Sequence, residues 1–285
     1  MMLLDVLREF VWAPVLPESL DGKPLATKIS ELFWEFPYDR LPENRLVALS
    51  LRPEVVLICA ILYLVSKPPL KALAKAVGFD GKSEVFRMAI AVHNASLAAF
   101  SAVVMFHSWS IVGNHLMEYG VESTYCDQDG SLWASGHGAW STIFYLSKYW
   151  EFVDTWILVL KGKTASFLQV YHHTGIVVIM WGGVASQSSW LWWVVLLNSF
   201  IHTIMYTYFL IKTIYPKIEI KSAKYLTQAQ IGQFFIGIFG TLGILLMGSR
   251  CASQASRMSL AILQLYVMGL VGLFLAFAAK KYKKK

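Results

Sequence analysis

Charge is scarce in this chain. Only 15% of its 285 residues are Asp, Glu, Lys or Arg, against 56% hydrophobic residues and a mean hydropathy of +0.51, too little polar surface for an ordinary water-soluble domain. Cysteine is scarcer still. Three cysteines with no CxxC pair exclude a disulfide-built scaffold and a cysteine-paired structural zinc site. The net charge of +7 comes without a basic stripe interleaved with aromatics, which excludes the nucleic-acid reading. A cleavable leader is not expected either, because the first apolar stretch, Phe10 to Leu16, is short and is interrupted at Pro14 and followed by Pro17. No internal repeat or low-complexity tract stands out.

What remains is apolar sequence in long runs. A spanning helix takes about 20 mostly apolar residues, and seven segments approach that length: 54–66, 87–112, 139–160, 167–185, 189–211, 228–248 and 258–279. The first is the weakest, with a solid apolar stretch only from Val55 to Val65 before Pro68 and Pro69, and it could extend backwards through Leu46 to Leu51. Sixteen of the 25 basic residues fall in the connections after the first, third and fifth segments and in the tail, whereas the opposite side offers Arg250 and Arg257. By the positive-inside rule this predicts an all-α polytopic membrane protein with seven transmembrane helices and a cytosolic C-terminus. The expected organisation is a proline-punctuated extension over 1–46, a membrane domain over 47–280 and a basic tail over 281–285. Lys281 and Lys283 in that tail are spaced like a dilysine retrieval signal, which supports the endoplasmic reticulum. On this topology Cys126 and Cys251 both lie in non-cytosolic connections, where a disulfide persists. The expectation is a bridge between them, with two free thiols as the alternative.

Ionisable groups at membrane depth are costly and mark function by default. The third segment carries Lys148, Glu151 and Asp154 with Thr155 following, on one helical stripe; a self-neutralising Lys–Glu pair is the bland alternative. The fourth opens with Gln169, Tyr171, His172 and His173, where Gln169 and the two histidines share a face. One buried histidine is commonly a satisfied packing residue, but two adjacent ones in an apolar segment resist that account. The fifth adds Asn198, His202, Met205 and Tyr206 on a single stripe, and the sixth begins with Thr227, Gln230 and Gln233, amides that an interfacial position would also explain. Counted from Lys161, Lys163, Lys212 and Lys224, these four clusters reach one depth, up to about 15 Å from the cytosolic boundary at 1.5 Å per residue. They describe one pocket entered from the cytosol.

Several chemistries compete for that pocket. Di-iron desaturases and hydroxylases use about eight histidines, whereas this chain has seven, with His107, His115 and His137 near or beyond the far side. One zinc held by His172, His202 and a carboxylate is the remaining metal arrangement, and the pocket is expected to take no metal. No cysteine lies at the pocket's depth to act as a nucleophile. Two histidines on facing helices suit acyl transfer at one imidazole and proton movement at the other. Glu151 or Asp154 would orient a ring and Lys148 would neutralise an acid. A seven-helix receptor or lipid transporter is the alternative from another class, but it predicts polar groups facing an outer vestibule or a path across the membrane. A retinal protein is disfavoured because no lysine lies between Met258 and Ala279.

Four motifs then point to a family. Lys148 to Thr155 reads KxxExxDT, Gln169 to His173 reads QVYHH, His202 to Phe209 reads HTIMYTYF and Thr227 to Gln233 reads TxxQxxQ. In order and spacing they resemble the signatures of the ELO family of very-long-chain fatty acid elongases. The resemblance implies a 3-ketoacyl-CoA synthase of the endoplasmic reticulum that condenses acyl-CoA with malonyl-CoA, releasing CO2 and CoA, with no cofactor. It implies that the last six helices surround an acyl tunnel closed at the luminal end. It implies His172 as acyl-accepting nucleophile, His173 and His202 as assisting groups, and Lys148, Glu151, Asp154, Gln169, Asn198, Tyr206, Gln230 and Gln233 around the substrates. Implied partners are membrane lipids, the ketoacyl-CoA reductase, dehydratase and enoyl-CoA reductase of the elongation cycle, and a second copy of the chain. Two positions depart from the family pattern. Gln169 stands where the HxxHH box has its first histidine, a substitution similar to that of polyunsaturated-acid elongases, which points to C18 or C20 polyenoic acyl-CoA. Phe209 stands where the HxxMYxYY pattern ends in Tyr.

Overall fold

A computed structural model describes residues 44–220 and 223–282. Most of the expected 1–46 extension and the last three lysines of the tail, including Lys283, lie outside the described residues. The chain divides into two compact units, Met1–Cys59 and Ala60–Lys285, and every structured element among the described residues is helical.

The first helix, α1 (Arg45–Ser50), is capped by Asn44, whose side-chain oxygen accepts from Leu46 N at 2.9 Å and Val47 N at 3.3 Å. The chain turns at Leu51 and Arg52 before α2 (Pro53–Val65). The first apolar segment therefore does not run back to Leu46 as one helix, because Pro53 disfavours helical backbone at Arg52 and is itself preorganised for a helix start. α3 (Lys67–Ala76) follows a bend of 50°.

α4 (Glu84–Cys126) runs 43 residues, well past Val112, where the expected segment ended. Hydropathy marks where apolar character stops, and here polar residues continue the helix because they find partners. His115 contacts Thr124 Oγ1 at 2.8 Å and Ser131 Oγ at 2.9 Å. Gly120, at φ 81°, kinks the helix in backbone space that only glycine enters cheaply. Asp127 then accepts backbone N–H groups of Leu132 at 2.8 Å and Trp133 at 2.9 Å, and a π-turn, Trp133–His137, leads into α5 (Gly138–Trp150).

The third expected segment is broken. α5 stops at Trp150 and α6 (Phe152–Leu160) starts after Glu151. α7 (Phe167–Ala185), α8 (Leu191–Ile214), α9 (Ala223–Met247) and α10 (Gln254–Tyr282) complete the chain. α4 packs most extensively on α8. Leu97 and Ala98 meet Tyr206, while Val112 meets Leu196, so the two helices run antiparallel. Beyond the α4 kink, Tyr125 donates to Gly240 O on α9 at 2.7 Å, and Cys126 and Cys251 are joined in a disulfide with Cα atoms 4.6 Å apart.

By length and apolarity α4, α8, α9 with its short 3-10 extension, and α10 are candidate membrane spans, and the bent pair α2–α3 makes a fifth. The chain is a multi-pass membrane protein. All seven expected segments are helical, but α5 and α6, at 13 and 9 residues, are too short singly. α7 has 19 residues diluted by Gln169, His172 and His173. The third and fourth segments, which carry KxxExxDT and QVYHH, fall short of a clean span, whereas α8 and α9 carry the other two motifs and pass.

Candidate active site

The break at Glu151 places a charged pair inside the bundle. Lys148 is 1% exposed and Glu151 2%. The Lys148 ammonium donates to Glu151 Oε1 at 2.7 Å and to Asn198 Oδ1 on α8 at 3.1 Å, and it lies 3.8 Å from the centroid of the Phe144 ring. A buried ammonium persists only with such compensation. Glu151 Oε1 is also 3.4 Å from His202 Nδ1, a contact that makes no hydrogen bond, and Oε2 is buried without a partner among the described residues.

Asp154, one turn further, accepts the Tyr206 hydroxyl at 2.7 Å and sits 2.8 Å from His93 Nε2. Thr155 is fully buried, 2.8 Å from the Tyr63 hydroxyl, and accepts the Gln169 amide at 3.2 Å. The Gln169 backbone in turn meets the α7 cap, Ser166 Oγ, at 3.2 Å.

His172 is fixed by Tyr266 of α10. The Tyr266 hydroxyl donates to the His172 carbonyl at 2.9 Å and lies 3.2 Å from its Nδ1. With the hydroxyl proton committed to the carbonyl, the contact is made by an Nδ1–H donating to the hydroxyl oxygen. This tautomer leaves Nε2 with its lone pair free. Gly175 makes room for the Tyr266 ring, since a Cβ there would fall 2.2 Å from it. The His173 ring lies 5.3 Å from that of His172, with its Nδ1 buried and unpartnered among the described residues, and the His202 ring meets Tyr206 edge-on at 5.5 Å.

These residues enclose one cavity of about 680 Å³. Glu151, Asp154, Gln169, His172, His173, Asn198, His202, Tyr206, Gln230 and Gln233 all line it; Lys148 stands behind Glu151 and does not. Gln230 reaches Met205 Sδ at 3.4 Å, and Gln233 Oε1 is buried and unpartnered among the described residues. Lys82, Arg87, Lys161, Lys163, Lys212 and Lys281 border the same cavity. Burial and the neighbouring Lys163 push the Lys161 ammonium pKa down. A narrower pocket of about 60 Å³ shares His172, Asn198, Gln233 and Phe234 and continues along Trp193, Gly237, Thr241, Leu263 and Gln264.

Donor atoms of Glu151, His172 and His202 lie within 4.8 Å of one another, so a metal would fall to these three. The donor types suit zinc, but Lys148 already neutralises Glu151 and would stand beside a second cation. The set fits an ion poorly.

His93, Tyr266 and Tyr63 were not singled out from the sequence. The one signal available was at His93, an ionisable residue within the second apolar segment. A tyrosine in an apolar helix carries no such signal.

A sequence model described as ELO: GNS1/SUR4 family matches residues 48–285. Among similar proteins are the fatty acid elongase sre1 of Dictyostelium discoideum, 36% identical over 62% of this chain and 65% of its own, and fatty acid elongase 1 of Trypanosoma brucei brucei, 33% identical over 63% and 60%. The very long chain fatty acid elongase 3 of Homo sapiens is 32% identical over 50% and 52%. The chain spans less than two thirds of the length of each of these relatives. No solved structure matches it.

Proposed function

Because the chain belongs to the ELO: GNS1/SUR4 family, we propose that it is a fatty acid elongase of the 3-ketoacyl-CoA synthase type. His172 Nε2 attacks the thioester carbonyl of acyl-CoA, the C–S bond breaks, and the thiolate leaves as CoA. Malonyl-CoA then loses CO2, and the enolate carbon so formed attacks the acyl-imidazole carbonyl. The C–N bond breaks, 3-ketoacyl-CoA is released and His172 is restored. Because the malonyl carboxylate departs as neutral CO2 and the thiolate becomes a thiol, each turnover takes up one proton. His202 and His173 border the same cavity as His172 and are the groups to move that proton. Lys148, Glu151 and Asn198 form the buried polar wall against which the malonyl group is placed.

The observation that carries this reading is His172 itself: it lines the cavity with Nδ1 engaged by Tyr266, which leaves Nε2 as the nucleophile. The narrower pocket beyond it is the start of the acyl tunnel, and the lysine- and arginine-bordered end is the mouth for CoA. Seven spans, the last six around that tunnel, follow if the broken α5–α6 pair and the polar α7 both cross the bilayer. The membrane domain is then 47–280, the C-terminal tail is cytosolic, and the compartment is the endoplasmic reticulum. Gln169 in place of the first histidine of the box favours C18 to C20 polyunsaturated acyl-CoA.

The test is acyl-CoA-dependent release of labelled CO2 from malonyl-CoA by membranes carrying the protein. Release that disappears in His172→Ala supports the reading. No release from wild type with any acyl-CoA from C16 to C22 overturns it and returns weight to a seven-helix receptor or lipid transporter without catalysis.

A further inference from the structure

Both oxygens of Asp154 are engaged, and neither partner comes from its own helix. Oδ2 accepts the Tyr206 hydroxyl of α8 at 2.7 Å, and Oδ1 lies 2.8 Å from Nε2 of His93 on α4. A carboxylate oxygen only accepts, so His93 donates through Nε2–H whether the ring is neutral or charged. His93 is 8% exposed and does not border the main cavity. It opens instead on a separate, nearly all-apolar pocket with Ile90, Val153, Trp156 and Ile157, and its ring meets Trp150 edge-on at 6.2 Å.

A carboxylate held at both oxygens cannot swing about its last bond without losing one partner. The Tyr206 hydroxyl therefore has a fixed acceptor, and its ring stands at a fixed place, 5.5 Å from the His202 ring centroid. The neighbourhood reinforces this geometry. Asn94 reaches Thr213 of α8 at 3.4 Å, and Leu97 and Ala98, one turn on from His93, pack against Tyr206. Consecutive α4 residues thus set the α4–α8 register at the level of the reacting groups.

We infer that His93 is a positioning residue for the condensation, acting through Asp154 on Tyr206 and, through the Tyr206 ring, on His202. The inference rests on the elongase reading and adds to it a residue of α4, outside the four sequence motifs. His93 does not touch substrate. It keeps His202 in the orientation needed to move a proton as the acyl-imidazole forms and breaks down, a step in which a displacement of about 1 Å costs up to about 100-fold.

The experiment uses the full chain in membranes, with kcat and KM for acyl-CoA measured by labelled CO2 release. His93→Phe keeps the ring and its contact with Trp150 but removes the donor. It should lower kcat about 10-fold or more, with KM for acyl-CoA within about twofold of wild type, because the residue is off the substrate cavity. His93→Gln, whose amide reaches where Nε2 was, should recover kcat to within about threefold of wild type, whereas the shorter His93→Asn should stay low. In a Tyr206→Phe background, which removes the hydroxyl, His93→Phe should cost nothing further.

Equal losses in the Phe and Gln variants, a change in KM instead of kcat, or additive losses with Tyr206→Phe would each overturn the inference. If His93→Phe is not recovered folded, the Gln and Asn pair decides, both being amides that differ in reach. Wild-type membranes that release no CO2 sink the elongase reading and the inference with it. Active wild type with all three variants unchanged sinks the positioning role alone.

Discussion

An imidazole that attacks a thioester needs one nitrogen with a free lone pair, and the partner of the other nitrogen decides which one that is. At His172 the partner is Tyr266, at 3.2 Å from Nδ1. His172→Ala should reduce condensation below about 1% of wild type while the protein still accumulates in membranes; near-normal turnover would remove it as nucleophile. Tyr266→Phe keeps the packing and deletes the hydroxyl, so kcat should fall about 10-fold with little loss of stability. His172 was legible in the sequence because a histidine pair in an apolar run has few bland explanations. Tyr266 was not, since its hydroxyl matters only once α10 has been laid against α7. His93 and Asp154 show the same limit. The carboxylate was legible as an anomaly, but its partners lie 61 and 52 residues away, and no local pattern names them.

Among the helices, apolar runs separated by basic connections located every long element, yet they misjudged where two of them end. α4 continues to Cys126 because His115, Thr124 and Ser131 satisfy one another. The α5–α6 break falls at Glu151 without a glycine or proline to announce it. The seam between α7 and α10 offers a test at this level. Gly175→Ala would place a methyl 2.2 Å from the Tyr266 ring, and such overpacking costs about 1–3 kcal/mol. Activity should fall with it, about as far as in Tyr266→Phe, because the displaced ring loses His172; thermal unfolding and turnover measured together check this. Gln169→His, by contrast, alters a residue whose amide serves Thr155 and not the histidines. Its turnover should stay within about threefold of wild type, and complete loss would show a role for the amide that the geometry does not contain.

The Ala60–Lys285 unit is held at one end by a bond between residues 125 positions apart. Reduction of Cys126–Cys251 should lower the thermal midpoint and change gel mobility, with a stability loss of about 2–5 kcal/mol; an unchanged midpoint after verified reduction would show that the helices hold that end unaided. In yeast fed single polyunsaturated acids, gas chromatography should show products two carbons longer from C18 or C20 substrates. Elongation confined to saturated acids would overturn the polyenoic preference. The Lys148–Glu151 pair bears on how the protein is made. Its two charges lie three residues apart and close on each other, so their pairing needs no other helix. Asp154 has no such local counterpart and depends on His93 and Tyr206, the second of which emerges about fifty residues later. One charge is thus settled by a neighbour three residues away and the other only when α4 and α8 are in place. Glu151→Gln should therefore lower the amount of chain integrated into membranes, measured by alkaline extraction, as well as turnover.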